Sequence, residues 1–131
     1  CGVALGGRAV LISGPSGSGK SDLALRLMDR GAVLVSDDRT DLRTSSGRLL
    51  ASPPATIEGK LEVRSLGILA FPWEKDVPVA LEIVLGGAIE RFPLERADRT
   101  WLGIAVPLVA LAAFEASAPI KVELALREFG L

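Results

Sequence analysis

Residues 14–21, GPSGSGKS, fit the pattern G-x-x-x-x-G-K-[ST] in full, and no other stretch limits the fold of this chain so sharply. With Gly near 7% of ordinary residues and Lys and Ser or Thr at similar levels, a chance match in a chain this long falls below about 1%. Such a loop needs a buried strand before it and a helix after it, because its backbone N–H groups and the helix N-terminus together grip phosphate. Both are present. Residues 9–12, AVLI, form a short apolar run after the turn signal Gly6-Gly7 and read as a buried strand. From Lys20 the apolar positions Leu23, Ala24, Leu27 and Met28 recur at helical spacing until Gly31 supplies a C-terminal stop. Residues 32–35, AVLV, read as a second buried strand, expected to lie parallel to the first through a right-handed crossover. That strand ends in Ser36-Asp37-Asp38, which puts two carboxylates at the sheet edge that carries the phosphate loop, where open α/β sheets bind ligands.

Composition removes several function classes. A chain of 131 residues is most simply one domain, large enough for a real core at 49% hydrophobic residues. Its 15 basic and 16 acidic residues leave a net charge of -1, so the basic footprint of a nucleic-acid binder is missing. Apolar runs such as 9–12 and 77–81 are far shorter than the roughly 20 residues that span a bilayer, so no membrane partner is expected. One cysteine, Cys1, cannot form an internal disulfide or a Cys-rich zinc site, which suits a reducing, cytoplasmic setting. Because the chain starts at Cys rather than Met, we expect a fragment with residues upstream. With no His and no Tyr, a Ser-His-Asp triad, an HExxH zinc site and an imidazole base are all excluded within this chain. Proton transfer falls to Asp, Glu or Lys.

Beyond Asp38 the pattern is mostly strands. Residues 48–51 form a short strand between the turn 44–47 and the break Ser52-Pro53-Pro54. In 60–64 the residues alternate, with Leu61 and Val63 facing one way and Glu62 and Arg64 the other. Residues 77–85, 89–94 and 103–111 are further strand candidates, and Ser117-Ala118-Pro119 reads as an N-cap and first turn of a last helix ending near Gly130. Without a repeat or low-complexity linker, the fold class is α/β, a P-loop core with a mixed, partly antiparallel sheet.

The candidate phosphate-binding residues are Gly14, Pro15, Ser16, Gly17, Ser18, Gly19, Lys20 and Ser21. Lys20 carries charge to the β- and γ-phosphates of a nucleotide, and the Ser21 hydroxyl suits Mg2+. Asp37 and Asp38 could be a solvated turn, but phosphoryl transfer needs one carboxylate near the metal and another to accept a hydroxyl proton. Glu62 and Arg64 are most simply the wet face of a half-buried strand. Arg91, Arg96 and Arg99 sit among Glu95 and Asp98 as a charged surface loop, kept as site candidates because Arg stabilises phosphoryl transition states. Trp73 and Trp101 read as packing or contact residues, since no basic groove accompanies them.

Taken together, residues 3–42 and the LEVRSLGI segment at 61–68 resemble the HPr kinase/phosphorylase family, in the compact form of its catalytic domain without the N-terminal domain. The pieces that carry the resemblance are Ser21-Asp22 after the loop, Arg30-Gly31, Asp37-Asp38-Arg39, and 61–68. It implies a core of the HPr kinase/PEP carboxykinase-like type that uses ATP and Mg2+ to phosphorylate a seryl residue of the phosphocarrier HPr or a homologue, with a reverse phosphorolysis. It also implies Asp37 as the base, Asp38 as its assistant, Ser21 and Glu62 at Mg2+, and 14–20 on the nucleotide phosphates. Longer members form hexamers, which implies self-association.

The chain departs from the family pattern in three places. It has no His before the first core strand, and Ser65 replaces a usual Gly, which matters where that position needs positive φ. In place of a usual G-R-N stretch it offers PLERADR at 93–99, which nominates Arg96 or Arg99 as the catalytic-loop arginine. Two rival readings stand beside this one: a P-loop kinase for a small metabolite, and a module that senses nucleotide without transferring phosphate. A GTPase is disfavoured because no N-K-x-D motif is present.

Overall fold

A computed structural model describes residues 1–87 and 97–131. It opens with a hairpin, β1 (Gly2–Leu5) and β2 (Arg8–Ser13), whose two-residue loop Gly6-Gly7 has φ of +59° and +80°. Positive φ at both positions matches the twist of the flanking strands, which is why glycine occupies them. The phosphate loop leads from β2 into α1 (Lys20–Asp29). That helix ends as its sequence predicts: Gly31 donates to the Met28 carbonyl and Ala32 to that of Leu27, a Schellman closure.

Next come β3 (Val33–Ser36), the hairpin β4 (Asp41–Ser45) with β5 (Arg48–Ser52), and a 3-10 turn at Ala55–Ile57. A separate two-stranded sheet, β6 (Lys60–Val63) with β7 (Gly67–Ala70), precedes the long β8 (Val77–Leu85). The strands β9 (Ala97–Trp101) and β10 (Ile104–Leu111) and the helix α2 (Ala118–Phe129) complete the described chain.

The main sheet runs β3-β1-β2-β8-β10-β9, with β5 pairing the start of β8 and β4 pairing β5. Strands β2, β8 and β10 are parallel neighbours. The expected neighbour relation of β2 and β3 needs correction. They run in the same sense, but β1 lies between them, antiparallel to each. Hairpin closure through Gly6-Gly7 places β1 beside β2 first, and β3 must then pair with the edge that β1 leaves.

The mixed α/β architecture stands as read from sequence, and its strands at 9–12, 32–35, 48–51, 60–64, 77–85 and 103–111 are present. The candidate strand at 89–94 lies outside the described residues. Residues 97–99, read as part of a charged loop, belong instead to β9. Ser117 precedes α2 as expected but makes no side-chain capping bond, leaving Pro119 in the first turn as the start signal.

Two apolar layers bracket the sheet. Val10, Ile12, Leu81, Ile83 and Leu85 pack against Leu23 and Leu27 of α1 and Val122 and Leu126 of α2. Leu11, Val35, Val79 and Val106 pack with Leu49 and Ala51 of β5 on the other side. The small sheet is anchored by Leu61, which is fully buried. Among the described residues no helix is long and apolar enough to cross a membrane.

Candidate functional site

The phosphate loop passes so close to the end of β8 that side chains are excluded. A Cβ on Gly14 would lie 2.7 Å from both the Leu85 carbonyl oxygen and Ser18 Oγ, and Gly14 has φ +152°. Gly19 caps α1 at φ +96°, and its carbonyl accepts the Leu23 N–H at 2.9 Å. Lys20 Nζ donates to the Gly14 carbonyl at 2.6 Å and to that of Pro15 at 3.4 Å, which holds the ammonium over the loop.

Asp37 joins three segments that are distant in sequence. Its Oδ1 accepts the Ser21 hydroxyl at 2.6 Å, and its Oδ2 accepts the backbone N–H of Glu62 at 2.9 Å. The strand end is steadied by Ser36, which is buried and hydrogen-bonded to the Thr40 hydroxyl. A cleft of about 1020 Å³ opens at this junction, lined by Ser16, Gly17, Gly19, Lys20, Ser21, Asp37, Asp38, Glu62 and Arg64 among others. Ser21, Asp37 and Glu62 offer hard oxygen donors, the type that suits a small divalent cation. Among the described residues no three His, Cys, Asp or Glu side chains cluster closely enough to hold a metal by themselves.

Most residues nominated from sequence therefore meet at one place. Ser18 differs, because it lines a second recess, and Gly14 and Pro15 line neither the cleft nor this recess. Arg96 lies outside the described residues. Arg99 is not on the cleft wall; it sits on β9, where its Nη1 donates to Glu82 Oε2 at 2.8 Å. The departure at Ser65 also resolves: this residue has φ +75°, so the position does need the left-handed region that favours glycine.

Glu82 itself escaped the sequence reading. It is fully buried, and its carboxylate accepts Ser13 Oγ at 2.7 Å, Arg99 Nη1 at 2.8 Å and Trp101 Nε1 at 2.7 Å. A buried charge persists only when paired and hydrogen-bonded, and these three donors supply both. A signal was available: Glu82 is the single charged residue in the nine of β8. Ser13, the residue before the phosphate loop, is thereby tied to β9.

Sheet order, loop and acidic strand end define a P-loop protein of the α/β class, with a carboxylate hydrogen-bonded to the serine of its phosphate loop. Comparisons with known proteins narrow that class. The family described as "HPr Serine kinase C-terminal domain" matches residues 2–72, more than half of the chain. This chain belongs to that family. An HPr kinase/phosphorylase of Clostridium tetani is 40% identical over 100 residues, covering 75% of this chain and 33% of the relative. One of Clostridium botulinum is 48% identical over 67 residues, covering 51% and 22%. The chain thus spans a third or less of the length of these curated relatives. The solved Hpr(Ser) kinase/phosphatase from Coxiella burnetii matches with a TM-score of 0.84 at 28% identity, over 96% of this chain and 85% of that one.

Proposed function

We propose that residues 1–131 form one catalytic unit that transfers the γ-phosphoryl group of ATP, with Mg2+, to a seryl hydroxyl of the phosphocarrier HPr or a homologue. The observation that carries this reading is the convergence of Ser21, Asp37 and the Glu62 backbone beside Lys20. The names of the relatives support the acceptor class, since they are HPr kinase/phosphorylases.

In this reading the backbone N–H groups of the phosphate loop and Lys20 hold the nucleotide phosphates, and Lys20 exchanges its carbonyl partners for phosphate oxygens. Ser21 and Glu62 would hold Mg2+, which supplies charge neutralisation across the phosphates when bound. Asp37 takes the proton of the attacking seryl hydroxyl, and exposed Asp38, on the same cleft wall, assists it. In reverse, an oxygen of inorganic phosphate attacks the phosphoserine phosphorus to form pyrophosphate, the bond between that phosphorus and the seryl oxygen breaks, and Asp37 returns the proton to the departing seryl oxygen. Arg99, held by Glu82 away from the cleft wall, serves the sheet rather than the phosphates.

The test is transfer from γ-labelled ATP with Mg2+ to purified HPr-type phosphocarriers. Labelling of a serine is expected, and Asp37→Asn and Lys20→Ala should each abolish it. A folded protein that binds ATP yet labels none of these acceptors would refute the proposal.

A further inference from the structure

Phe114, in the loop between β10 and α2, is 73% exposed. Among the described residues it is the single aromatic ring on the walls of either cleft, and it borders both. Its Cε1 and Cζ lie 3.0 Å from the point a Cβ on Gly19 would occupy, so the ring rests against the turn that starts α1. Arg26 of α1 fixes the loop on both sides of it. One guanidinium nitrogen, Nη1, donates to the Glu115 carbonyl at 3.1 Å, and Nη2 donates to the Ala113 carbonyl. Asp22 holds that guanidinium in turn at 3.0 Å.

Behind Phe114 lies the second recess, of about 470 Å³, walled by Gly86 and Gly87 after β8, Leu111 and Ala112 at the end of β10, and Ser18. That volume is within the usual range for small-molecule sites. Among the described residues Ser18 Oγ, buried there, has no hydrogen-bond partner. The recess stands at the carboxyl ends of the parallel strands β8 and β10, next to the phosphate loop, where α/β sheets take their ligands. An aromatic ring fastened in place yet left in water gains little from packing, but it offers a flat face to a ligand.

We propose that Phe114 is the stacking platform for the nucleobase of the bound nucleoside triphosphate, with the recess behind it receiving the base and ribose. The proposal rests on the phosphoryl-transfer reading above and adds to it where the base sits. Binding of two probes with Mg2+, ATP and inorganic triphosphate, separates base from phosphate contacts when measured by calorimetry on wild type, Phe114→Ala, Phe114→Leu and Phe114→Trp. Loss of a stacked base costs about 1–3 kcal/mol, so Phe114→Ala and Phe114→Leu should weaken ATP on the order of tenfold while triphosphate binding stays unchanged. The exposed position keeps both variants folded. Phe114→Trp should restore ATP affinity, and its added indole emission should be quenched by ATP but not by triphosphate. Equal ATP affinity in wild type and Phe114→Ala, or an equal loss for both probes, would overturn the platform while leaving the phosphate site intact. A wild-type protein that binds neither probe would overturn the phosphoryl-transfer reading and the platform with it.

Discussion

Ser65 offers a direct test of strain in the site. It sits at φ +75° in the turn between β6 and β7, on the rim of the large cleft, and a non-glycine residue in this region costs roughly 1–2 kcal/mol. Ser65→Gly removes that cost but also frees the unfolded chain, which takes back about 0.4–1 kcal/mol. The net gain is about 0.5–1 kcal/mol. The gain reaches global stability because fully buried Leu61 anchors the same hairpin to the body of the protein. With an unfolding entropy of roughly 2.1 cal/mol/K per residue, a chain of 131 residues shifts its Tm by about 3–4 °C per kcal/mol. Ser65→Gly should therefore raise the melting temperature by about 2–4 °C in calorimetry. Ser65→Ala, which keeps a Cβ and the strain, should not, and β-branched Ser65→Val should melt lower than wild type. Glycine and alanine variants with the same Tm would mean that the backbone at 65 stores no strain, and the reasoning would fail.

Two further outcomes follow from partner accounting. Glu82→Ala leaves Ser13 Oγ, Trp101 Nε1 and the Arg99 guanidinium without their shared acceptor. Because Arg99 is 41% exposed and can rehydrate, the expected loss is roughly 2–4 kcal/mol, read from the midpoint of urea unfolding. Asp76 accepts from Ser52 Oγ at 3.0 Å and from Arg43 at 3.2 Å, and these partners, Ser52 first, hold its carboxyl below the usual aspartate value. A lowered folded-state value contributes stability above an unfolded pKa of about 3.9, and that stability is lost as pH falls through the folded value. Wild type should therefore lose Tm faster than Asp76→Asn below about pH 4; parallel profiles would show that this site does not titrate with folding.

The parts of the fold legible in sequence are those where one residue type answers one local demand. The glycines of the phosphate loop, the helical spacing of Leu23, Ala24 and Leu27, and the stop at Gly31 each state their conformation locally. Strand partners are a different matter, because periodicity marks a strand without saying what lies beside it; hence β1 between β2 and β3 came as a correction. Strands that bury little were silent too. In β4 the residues are mostly exposed and in β7 all are, so neither carries the alternation that marks a half-buried strand. In β9, Arg99 and Trp101 point their polar atoms at Glu82, and a pattern set by one buried carboxylate across the sheet reads in sequence as a charged loop.

The uneven reach of the family likeness has the same origin. The family match ends at residue 72, whereas the structural likeness extends over 96% of the chain. In the first half, Gly14 has no room for a Cβ, and Asp37 must present one carboxylate oxygen to Ser21 and the other to the Glu62 N–H. Few other residues meet those demands. In the second half β8, β10 and α2 chiefly fill the sheet and cover it, and many apolar sequences of similar volume do that equally well. Glu82 is the exception in that half, since its three donors must change with it, and it is therefore the position in β8 least free to drift.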